Sequence, residues 1–306
     1  FRSHDLLNVN TWDIRQIAVT SSTHSYTLAK AAGPAEAAQA DRWMLVVPLE
    51  DAAESGAVSM ILSALRGLRI ERFIADTFTE VDRGTWGFDA PHATITLMTA
   101  PTAVGALDVV IGKVTEENGQ QRYAKRSDES TVYAVTSSQI DEVARDPHAL
   151  RSRACFEFFA SQATKLQLTW AGVSWMIERQ GETWKASDLP APPAGGAQAG
   201  GIDLDGAAVE EFLWKIRDVK LTRFVDDAPH DLVRYGLEPA KGTIQVWLTG
   251  PSGPQGLSVG ETIDGGATRY GWMSGRAAVV ELPESLNEIL TATPEALKAV
   301  MPSASE

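Results

Sequence analysis

Disulfide pairs, long apolar runs and clusters of positive charge are missing from this 306-residue sequence. Its one cysteine, Cys155, excludes an internal disulfide and fits either a reducing cytoplasm or an envelope protein without disulfides. The neighbouring Phe156 and Phe158 predict that this thiol is buried and unreactive. No run of about 18 apolar residues occurs, so no transmembrane segment is predicted in this sequence. The net charge of −13 argues against nucleic acid or anionic lipid as a partner, because clustered Lys and Arg bind phosphate groups.

Recognisable catalytic and metal-binding motifs are missing as well. The sequence has neither a GxSxG nor an HExxH motif. Zinc needs several convergent ligands, whereas the five histidines are scattered: His4, His24, His92, His148 and His230. The sequence therefore predicts no enzyme, no cofactor, and no catalytic or metal-binding residue. A carboxylate pair at glycosidase spacing stays open as an alternative.

Two acidic segments have competing interpretations. Asp226, Asp227, His230 and Asp231 form the densest polar group, and their spacing permits a metal or general-base site. A solvated turn is the simpler interpretation, because the first half of the chain offers no equivalent ligand set. Segment 203–206 (DLDG) resembles the start of a calcium loop. Asp205 as a helix N-cap explains it more simply.

Basic residues recur at matching places in the two halves of the chain: Arg66, Arg69 and Arg72, then Arg217, Lys220 and Arg223. This recurrence favours local ion pairs, with Glu71, Asp76, Asp218 or Asp226 as the expected partners. An anion-binding site is the alternative.

The sequence does contain an internal duplication, with a period near 150 residues that is far longer than in solenoid repeats. The matching segments are 1–4 with 150–153, 58–76 (VSMILSALRGLRIERFIAD) with 209–227 (VEEFLWKIRDVKLTRFVDD), 86–89 (WGFD) with 235–238 (YGLE), and 147–150 with 294–297. Apolar spacing and turn residues repeat, rather than reactive groups. We therefore expect two domains, residues 1–150 and residues 151–306, that superpose element by element.

Each copy is predicted to be an α+β unit: a mostly antiparallel sheet with one main amphipathic helix and a short C-terminal helix. Apolar residues at i, i+3, i+4, i+7 and i+10 predict the main helix. They are Val58, Ile61, Leu62, Leu65 and Leu68 in the first copy, and Val209, Phe212, Leu213, Ile216 and Val219 in the second. Asp51 and Glu54 are expected to form a capping box before the first helix, and Gly67 to end it in left-handed conformation.

Period-two alternation predicts the strands that follow the main helix in each copy. They are 93–99, 107–112, 122–126 and 131–136 before a helix at 139–145, and 243–249, 257–260, 269–273 and 277–282 before a helix at 286–291. Segment 189–201 (LPAPPAGGAQAGG) is predicted to be a surface loop, since it lacks the pattern of a phosphate loop. Residues 302–306 are expected to be a frayed end.

The nine tryptophans suggest carbohydrate binding, since aromatic faces stack on sugars. Trp43 matches Trp184, and Trp86 matches Tyr235, so these four are expected to be core residues. The candidates for a surface or interdomain role have no aromatic counterpart: Trp12, Trp175, Trp214, Trp247 and Trp272. Phe159 stands where the first copy has an asparagine, and it is expected to pack between the domains.

Four features occur together: a Trp-bearing strand, a helix continuing into LRIERF or VKLTRF, the motif WGFDAP or YGLEPA, and a strand closing in IGK or VGE. This combination resembles the bacterial family catalogued as domain of unknown function 4340, whose members often carry the unit in tandem. The resemblance covers nearly the whole chain. It implies an envelope protein with an N-terminal membrane anchor, encoded in some members with ABC-type transport components. It implies no catalytic residues.

The leading hypothesis is a non-enzymatic, extracytoplasmic interaction or scaffold module of a bacterial envelope transport or assembly system. The expected partner is a membrane protein, such as an ABC-type transport component, and the expected location is periplasmic. An anchor upstream of Phe1 is expected to tether the protein to the inner membrane, which would raise the local concentration of the module near its partner. The alternative is a polysaccharide- or ligand-binding protein that uses the cleft between the repeats, and a hydrolase comes third.

Overall fold

The computed structural model describes residues 3–31, 42–100, 105–117, 119–187, 202–250 and 253–298. The loop predicted at 189–201 and the end predicted at 302–306 lie outside the described residues. The chain divides into two compact units, Phe1–Ser152 and Arg153–Glu306.

The described part of the first unit contains a sheet of nine antiparallel strands. The strands are β1 (Ile14–Ser21), β2 (Ser25–Lys30), β3 (Trp43–Val47), β4 (Asp51–Ala52), β5 (Ile70–Ala75), β6 (Ala93–Thr99), β7 (Ala106–Val114), β8 (Gln121–Arg126) and β9 (Val132–Thr136). The α-helices are α1 (Ser55–Gly67), α2 (Arg83–Trp86) and α3 (Ser137–Val143). The strand order is β4-β3-β2-β1-β6-β7-β8-β9-β5, so α1 connects the two edge strands.

The described part of the second unit repeats this plan. Its strands are β10 (Ala163–Trp170), β11 (Val173–Gln180), β12 (Thr183–Ser187), β13 (Ile202–Leu204), β14 (Arg223–Asp226), β15 (Gly242–Leu248), β16 (Gln255–Thr262), β17 (Arg269–Met273) and β18 (Val279–Leu282). Its α-helices are α4 (Gly206–Arg217) and α5 (Leu286–Leu290). The strand order is β13-β12-β11-β10-β15-β16-β17-β18-β14, which confirms the prediction of two similar, mostly antiparallel units.

One face of each sheet packs on the main helix of its unit. The apolar spacing that predicted α1 buries Val58, Ile61 and Leu65, and the spacing of α4 buries Val209 and Ile216. Burial of one such side chain stabilises the fold by about 1.5–3 kcal/mol. The core of each unit therefore lies between its sheet and its main helix.

Even the irregular features of the two sheets match. The pairing of β1 with β6 shifts register between Ile14 and Gln16, and β10 with β15 shifts between Ala163 and Lys165. Gly87 and Gly236 both have positive φ, at 73° and 65°. A Cβ at these glycines would lie 2.7 Å and 2.9 Å from the backbone nitrogens of Lys113 and Glu261 respectively. Glycine is therefore required at both positions, and their predicted match is confirmed.

The two ends of each unit are tied beside the two ends of its main helix. In the first unit, the backbone N–H of Leu6 donates to the carbonyl of Leu68, and that of Glu54 donates to the carbonyl of Leu150. In the second unit, Cys155 donates in the same way to Val219, and Asp205 to Leu297. The four distances are 2.8 to 3.1 Å. The matching bonds give a residue-by-residue alignment of the units around α1 and α4.

The predicted capping box of α1 is wrong. The N-cap is Glu54, whose side chain makes no capping hydrogen bond. Asp51 is instead buried in an ion pair with Arg151, and its Oδ1 accepts the N–H of Ala52. The N-cap predicted at Asp205 is confirmed, because its Oδ1 accepts the N–H of Ala207 at 2.8 Å.

The predicted left-handed terminus at Gly67 is also wrong. Gly67 is the last residue of α1 and does not have a positive φ, and the following Leu68 is extended. The Gln139 side chain donates from Nε2 to the carbonyl of Gly67 at 2.6 Å. This bond satisfies a helix-end carbonyl that a left-handed cap would otherwise satisfy.

Candidate interaction site

Helices α1 and α3 of the first unit are the walls of an open groove of about 520 Å³. It is lined by Ser59, Met60, Ser63 and Ala64 of α1 and by Ser138, Gln139 and Glu142 of α3. The hydrogen bond from Gln139 to Gly67 holds the two helices together. Met60, the one large apolar side chain of this lining, is 49% exposed. We call this feature the α1–α3 groove.

The α1 wall of the groove carries no charge. Helix α1 has one charged residue, Arg66, in its last turn. The carboxylate of Glu142 on the opposite wall pairs with Arg145 at 2.9 Å. On a protein of net charge −13, the α1 wall shares two properties with interface cores, the depletion of charge and an exposed methionine.

Helix α4 shows a different surface at the same place in the second unit. The aligned N-caps match Ser59, Met60, Ser63 and Ala64 with Glu210, Glu211, Trp214 and Lys215. Lys215 pairs with Glu211 at 3.0 Å, and the Arg217 guanidinium lies 4.1 Å from the centre of the Trp214 ring. The second unit therefore carries charge and bulk where the first unit carries small, neutral side chains.

On the face of the first sheet away from α1, strands β3, β2, β1 and β6 form a second surface that is poor in charge, and it borders Asp108 on β7 and Lys125 on β8. Across β3, β2, β1 and β6 its side chains are Met44, Val46, Ser25, Thr27, Ala29, Gln16, Ala18, Thr20, Thr94, Thr96 and Met98. Val46 and Met98 are 36% and 46% exposed. The matching face of the second sheet includes Lys165 and Glu178, which stand opposite each other on β10 and β11. Depletion of charge is thus shared by two surfaces of the first unit.

Asp51 and Arg151 form a buried ion pair that the sequence analysis missed. Arg151 Nε lies 2.7 Å from Asp51 Oδ2, and the two side chains are 1% and 2% exposed, respectively. The strand registers and edge bridges match these residues with Ile202 and Lys298 of the second unit. The second unit therefore has no ion pair at this position. The two partners are 100 residues apart, so no local pattern pointed to them.

Tyr26 and Trp175 form a second pair of equivalents that the sequence analysis missed. Both occupy the same register position, on β2 and β11. The Tyr26 hydroxyl donates to the carbonyl of Val143 at 2.6 Å, and Trp175 Nε1 donates to the carbonyl of Ala292 at 3.1 Å. Burial raises the pKa of the Tyr26 phenol. Each bond ties the end of the short C-terminal helix to the sheet.

The expectations for the unmatched aromatics are corrected at two positions. Trp175, expected at a surface, is only 2% exposed, because its strand position faces the core. Phe159, expected to be buried between the domains, is 65% exposed, while the neighbouring Phe158 is buried. Extended backbone at Phe159 turns the two adjacent rings to opposite sides. Trp43 and Trp184 are buried as predicted.

The acidic group at 226–231 holds a turn together. Asp226 Oδ2 accepts from the Tyr235 hydroxyl at 2.7 Å and from Arg234 at 3.1 Å. The hydrogen bond from Tyr235 is the main cause that lowers the pKa of Asp226. Asp231 accepts the backbone N–H of Val233 at 2.8 Å. Within the described ranges, no group of three or more His, Cys, Asp or Glu could hold a metal ion.

The histidines and the cysteine lie in separate surroundings. His92 Nε2 lies 3.7 Å from Asp141, and burial followed by the charge of Arg122 lowers its pKa. His4 hydrogen-bonds the carbonyl of Ile70 at 2.8 Å. Cys155 is 8% exposed, and burial raises the pKa of its thiol to about 12, which confirms the expected burial.

Four of the six recurring basic residues form ion pairs, one of them with an expected partner. These are Arg69 with Asp5 at 3.0 Å, Arg72 with Glu117, Arg217 with Asp218 at 2.7 Å and Arg223 with Glu281 at 2.5 Å. Of the expected partners, Asp218 is confirmed. Glu281 lies directly opposite Arg223 across two strands, a contact that spacing along the sequence does not show.

A family model described as a domain of unknown function (DUF4340) matches residues 43–198 and residues 196–299. The matches cover most of the chain, which therefore belongs to this family. Each match begins and ends away from the boundary between the compact units near residue 152. No curated protein and no solved structure matches the chain. None of the helices in the described part of the chain has the length and apolar character needed to cross a membrane.

Proposed function

We propose that the protein is a non-enzymatic interaction module of a bacterial envelope transport or assembly system. It is built from two α+β units, each with one main amphipathic helix and a short C-terminal helix. The α1–α3 groove carries the proposal, because it is open, uncharged on its α1 wall and about 520 Å³ in volume. Interface cores are depleted of charge, whereas catalytic sites bring reactive polar groups together.

We further propose that the module works on the periplasmic side, tethered to the inner membrane beside a membrane protein such as an ABC-type transport component. The resemblance to a family of envelope proteins supports this location. A groove lined by seven residues is small for a free encounter. Tethering raises the local concentration, so a small contact area suffices.

The alternative, binding of a polysaccharide or another ligand, predicts a row of exposed indoles. Of the nine tryptophans, Trp12 and Trp214 are the exposed ones, at 74% and 42%, with one in each unit. Trp86, Trp170, Trp247 and Trp272 are partly buried, so each unit has one exposed indole. This distribution favours a protein partner.

Photocrosslinking in living cells tests the proposal. Benzoylphenylalanine at Ser59, in the full-length protein made by its own bacterium, should give an ultraviolet-dependent adduct with an integral membrane transport component, identified by mass spectrometry. The same probe at Glu210, the matching position on α4, is the control and should give no such adduct. Equal adducts at both positions, or none at Ser59, would contradict the groove as the site. Fractionation of the same cells tests the location, and recovery wholly in the soluble cytoplasm would contradict it.

A further inference from the structure

We infer that Met60 is an oxidation site, and that its sulfoxide weakens binding at the α1 wall of the groove. Met60 lies on this wall and is 49% exposed. Oxidation changes the flexible, apolar thioether of an exposed methionine into a polar sulfoxide. This inference rests on the proposed function and adds a means of regulating it.

The methionines of the described ranges differ in their access to solvent. Met60 and Met98 are 49% and 46% exposed, and they lie on the two charge-poor surfaces of the first unit. Met44 and Met176 are partly buried. Met273 belongs to the core of the second unit and is 4% exposed. A dissolved oxidant should therefore reach the sulfur atoms of Met60 and Met98 first.

The oxidation requires one co-reactant, a peroxide. A lone pair of the Met60 sulfur attacks one oxygen of hydrogen peroxide, and an S–O bond forms while the O–O bond breaks. The second oxygen leaves as water after it takes up the proton of the transferred oxygen. Sulfur loses two electrons and the peroxide gains two, so the products are a sulfoxide and water.

The second unit shows that the fold does not need a thioether at either place. The aligned helices match Met60 with Glu211, and the strand registers match Met98 with Trp247. Glu211 is exposed and pairs with Lys215 at 3.0 Å, so the folded unit accommodates a polar group at this helix position. The first unit should therefore stay folded when Met60 is oxidised.

A sulfoxide at Met60 should oppose docking to the α1 wall. Met60 is the one large apolar side chain among the residues that line the groove. Its sulfoxide oxygen accepts hydrogen bonds from water as long as the surface is open. A partner that covers this oxygen removes those bonds, and burial of a polar group without a new hydrogen bond is unfavourable. The unoxidised form should therefore be the binding form.

Peptide mass spectrometry of the full-length protein tests the oxidation site. After timed doses of hydrogen peroxide, Met60 should be oxidised at least about ten-fold faster than Met273, because burial keeps the oxidant from sulfur. Met98→Leu leaves Met60 as the one methionine of the described ranges that is more than a third exposed. The urea midpoint of this variant should be the same before and after oxidation. A Met60 rate as slow as that of Met273, or a lowered midpoint, would overturn the inference.

Photocrosslinking from Ser59 in living cells measures the effect on binding. A brief peroxide pulse before illumination should lower the adduct of benzoylphenylalanine at Ser59 as the oxidised fraction of Met60 rises. Met60→Leu has no thioether at this position, so its adduct after the pulse should equal its own adduct before the pulse. Met60→Gln places a polar acceptor there permanently and should lower the adduct without any oxidant.

The outcomes separate this inference from the proposed function. No adduct before the pulse contradicts the proposed function and this inference with it. An adduct that persists when Met60 is fully oxidised, or that is undiminished in Met60→Gln, overturns the inference and leaves the proposed function standing. An equal loss of adduct in Met60→Leu after the pulse shows that the peroxide acts elsewhere, which also overturns Met60 as the site.

Discussion

The first and second units differ in the charged side chains on and beside their main helices. The first unit buries one ion pair, Asp51 with Arg151, and leaves the outward side of α1 almost uncharged. The second unit has Ile202 and Lys298 where that pair would be, and it carries charged residues along α4. Sheet order, register shifts and positive-φ glycines are the same in both.

This difference shows which features the fold itself requires. A feature present in both units, such as the hydrogen bond to the end of the short helix, belongs to the folding of the unit. A feature present in one unit only is not needed to form the sheet or the main helix. The uncharged outer side of α1 is of this second kind, because α4 carries Glu210, Glu211 and Lys215 at the matching positions, and we therefore connect it with function.

Breaking the buried ion pair should produce the largest difference in stability between the two units. Arg151→Met leaves the Asp51 carboxylate buried without this partner and should lower the free energy of unfolding by about 3–5 kcal/mol. Lys298→Met at the matching exposed position should change it by less than about 0.5 kcal/mol. Urea unfolding of the full chain, with hydrogen exchange of peptides from each unit, measures both.

The double variant Asp51→Ile with Arg151→Met is the control, because it gives the first unit an apolar residue like Ile202. Most of the lost stability should return, since an apolar pair can replace a buried ion pair at little cost. Equal losses in Arg151→Met and Lys298→Met would show that the units are not different in this respect.

Removing the hydrogen-bond donors of Tyr26 and Trp175 should lower the stability of both units by similar, intermediate amounts. Tyr26→Phe leaves the carbonyl of Val143 without its donor and should destabilise the first unit by about 1–3 kcal/mol. Trp175→Phe should destabilise the second unit by at least as much, because it also removes ring volume. Faster hydrogen exchange in α3 or α5 is the readout. Trp214→Phe, at an exposed ring, should leave both helices unchanged.

The smallest expected effect is a pH dependence confined to the first unit. Folding lowers the pKa of His92 through burial and the charge of Arg122, so the unfolded chain binds more protons in mild acid. The stability that neutral His92 contributes to the folded state is fully present above a pH of about 6.5. It is lost as the pH falls through the lower pKa that His92 has in the folded state. The free energy of unfolding of the first unit should therefore fall less steeply in His92→Gln than in the unchanged protein between about pH 7.5 and pH 5.

The second unit provides the control for this pH dependence. Lys241 matches His92, because the backbone N–H of each donates to a matching carbonyl, on β16 and β7 respectively. The ammonium group of Lys241 pairs with Glu261 at 2.8 Å. Lys241→Gln should leave the slope of the second unit unchanged in the same pH range. Identical slopes for the first unit with and without His92 would contradict the prediction.

Features that depend on local spacing were predictable, and contacts between distant residues were not. The i, i+3, i+4, i+7 spacing located α1 and α4, and the turn motifs matched Gly87 with Gly236. The equivalence of Tyr26 and Trp175 was missed because the residues differ and the turns before them differ in length. The α1–α3 groove was missed because small serines on a helix give no hydrophobic signal. It is visible only when α3 is packed beside them.

The hydrogen bonds at the ends of the first unit also define how it would carry a pulling force. Tension on the chain would enter through the bond from Leu6 to Leu68 and leave through the bond from Glu54 to Leu150. These bonds flank α1, a helix of 13 residues and about 20 Å, so the load path runs along this helix. Most of the nine-stranded sheet lies outside that path. The hydrogen bonds at both ends of the unit therefore connect its chain ends directly to the helix that forms one wall of the groove.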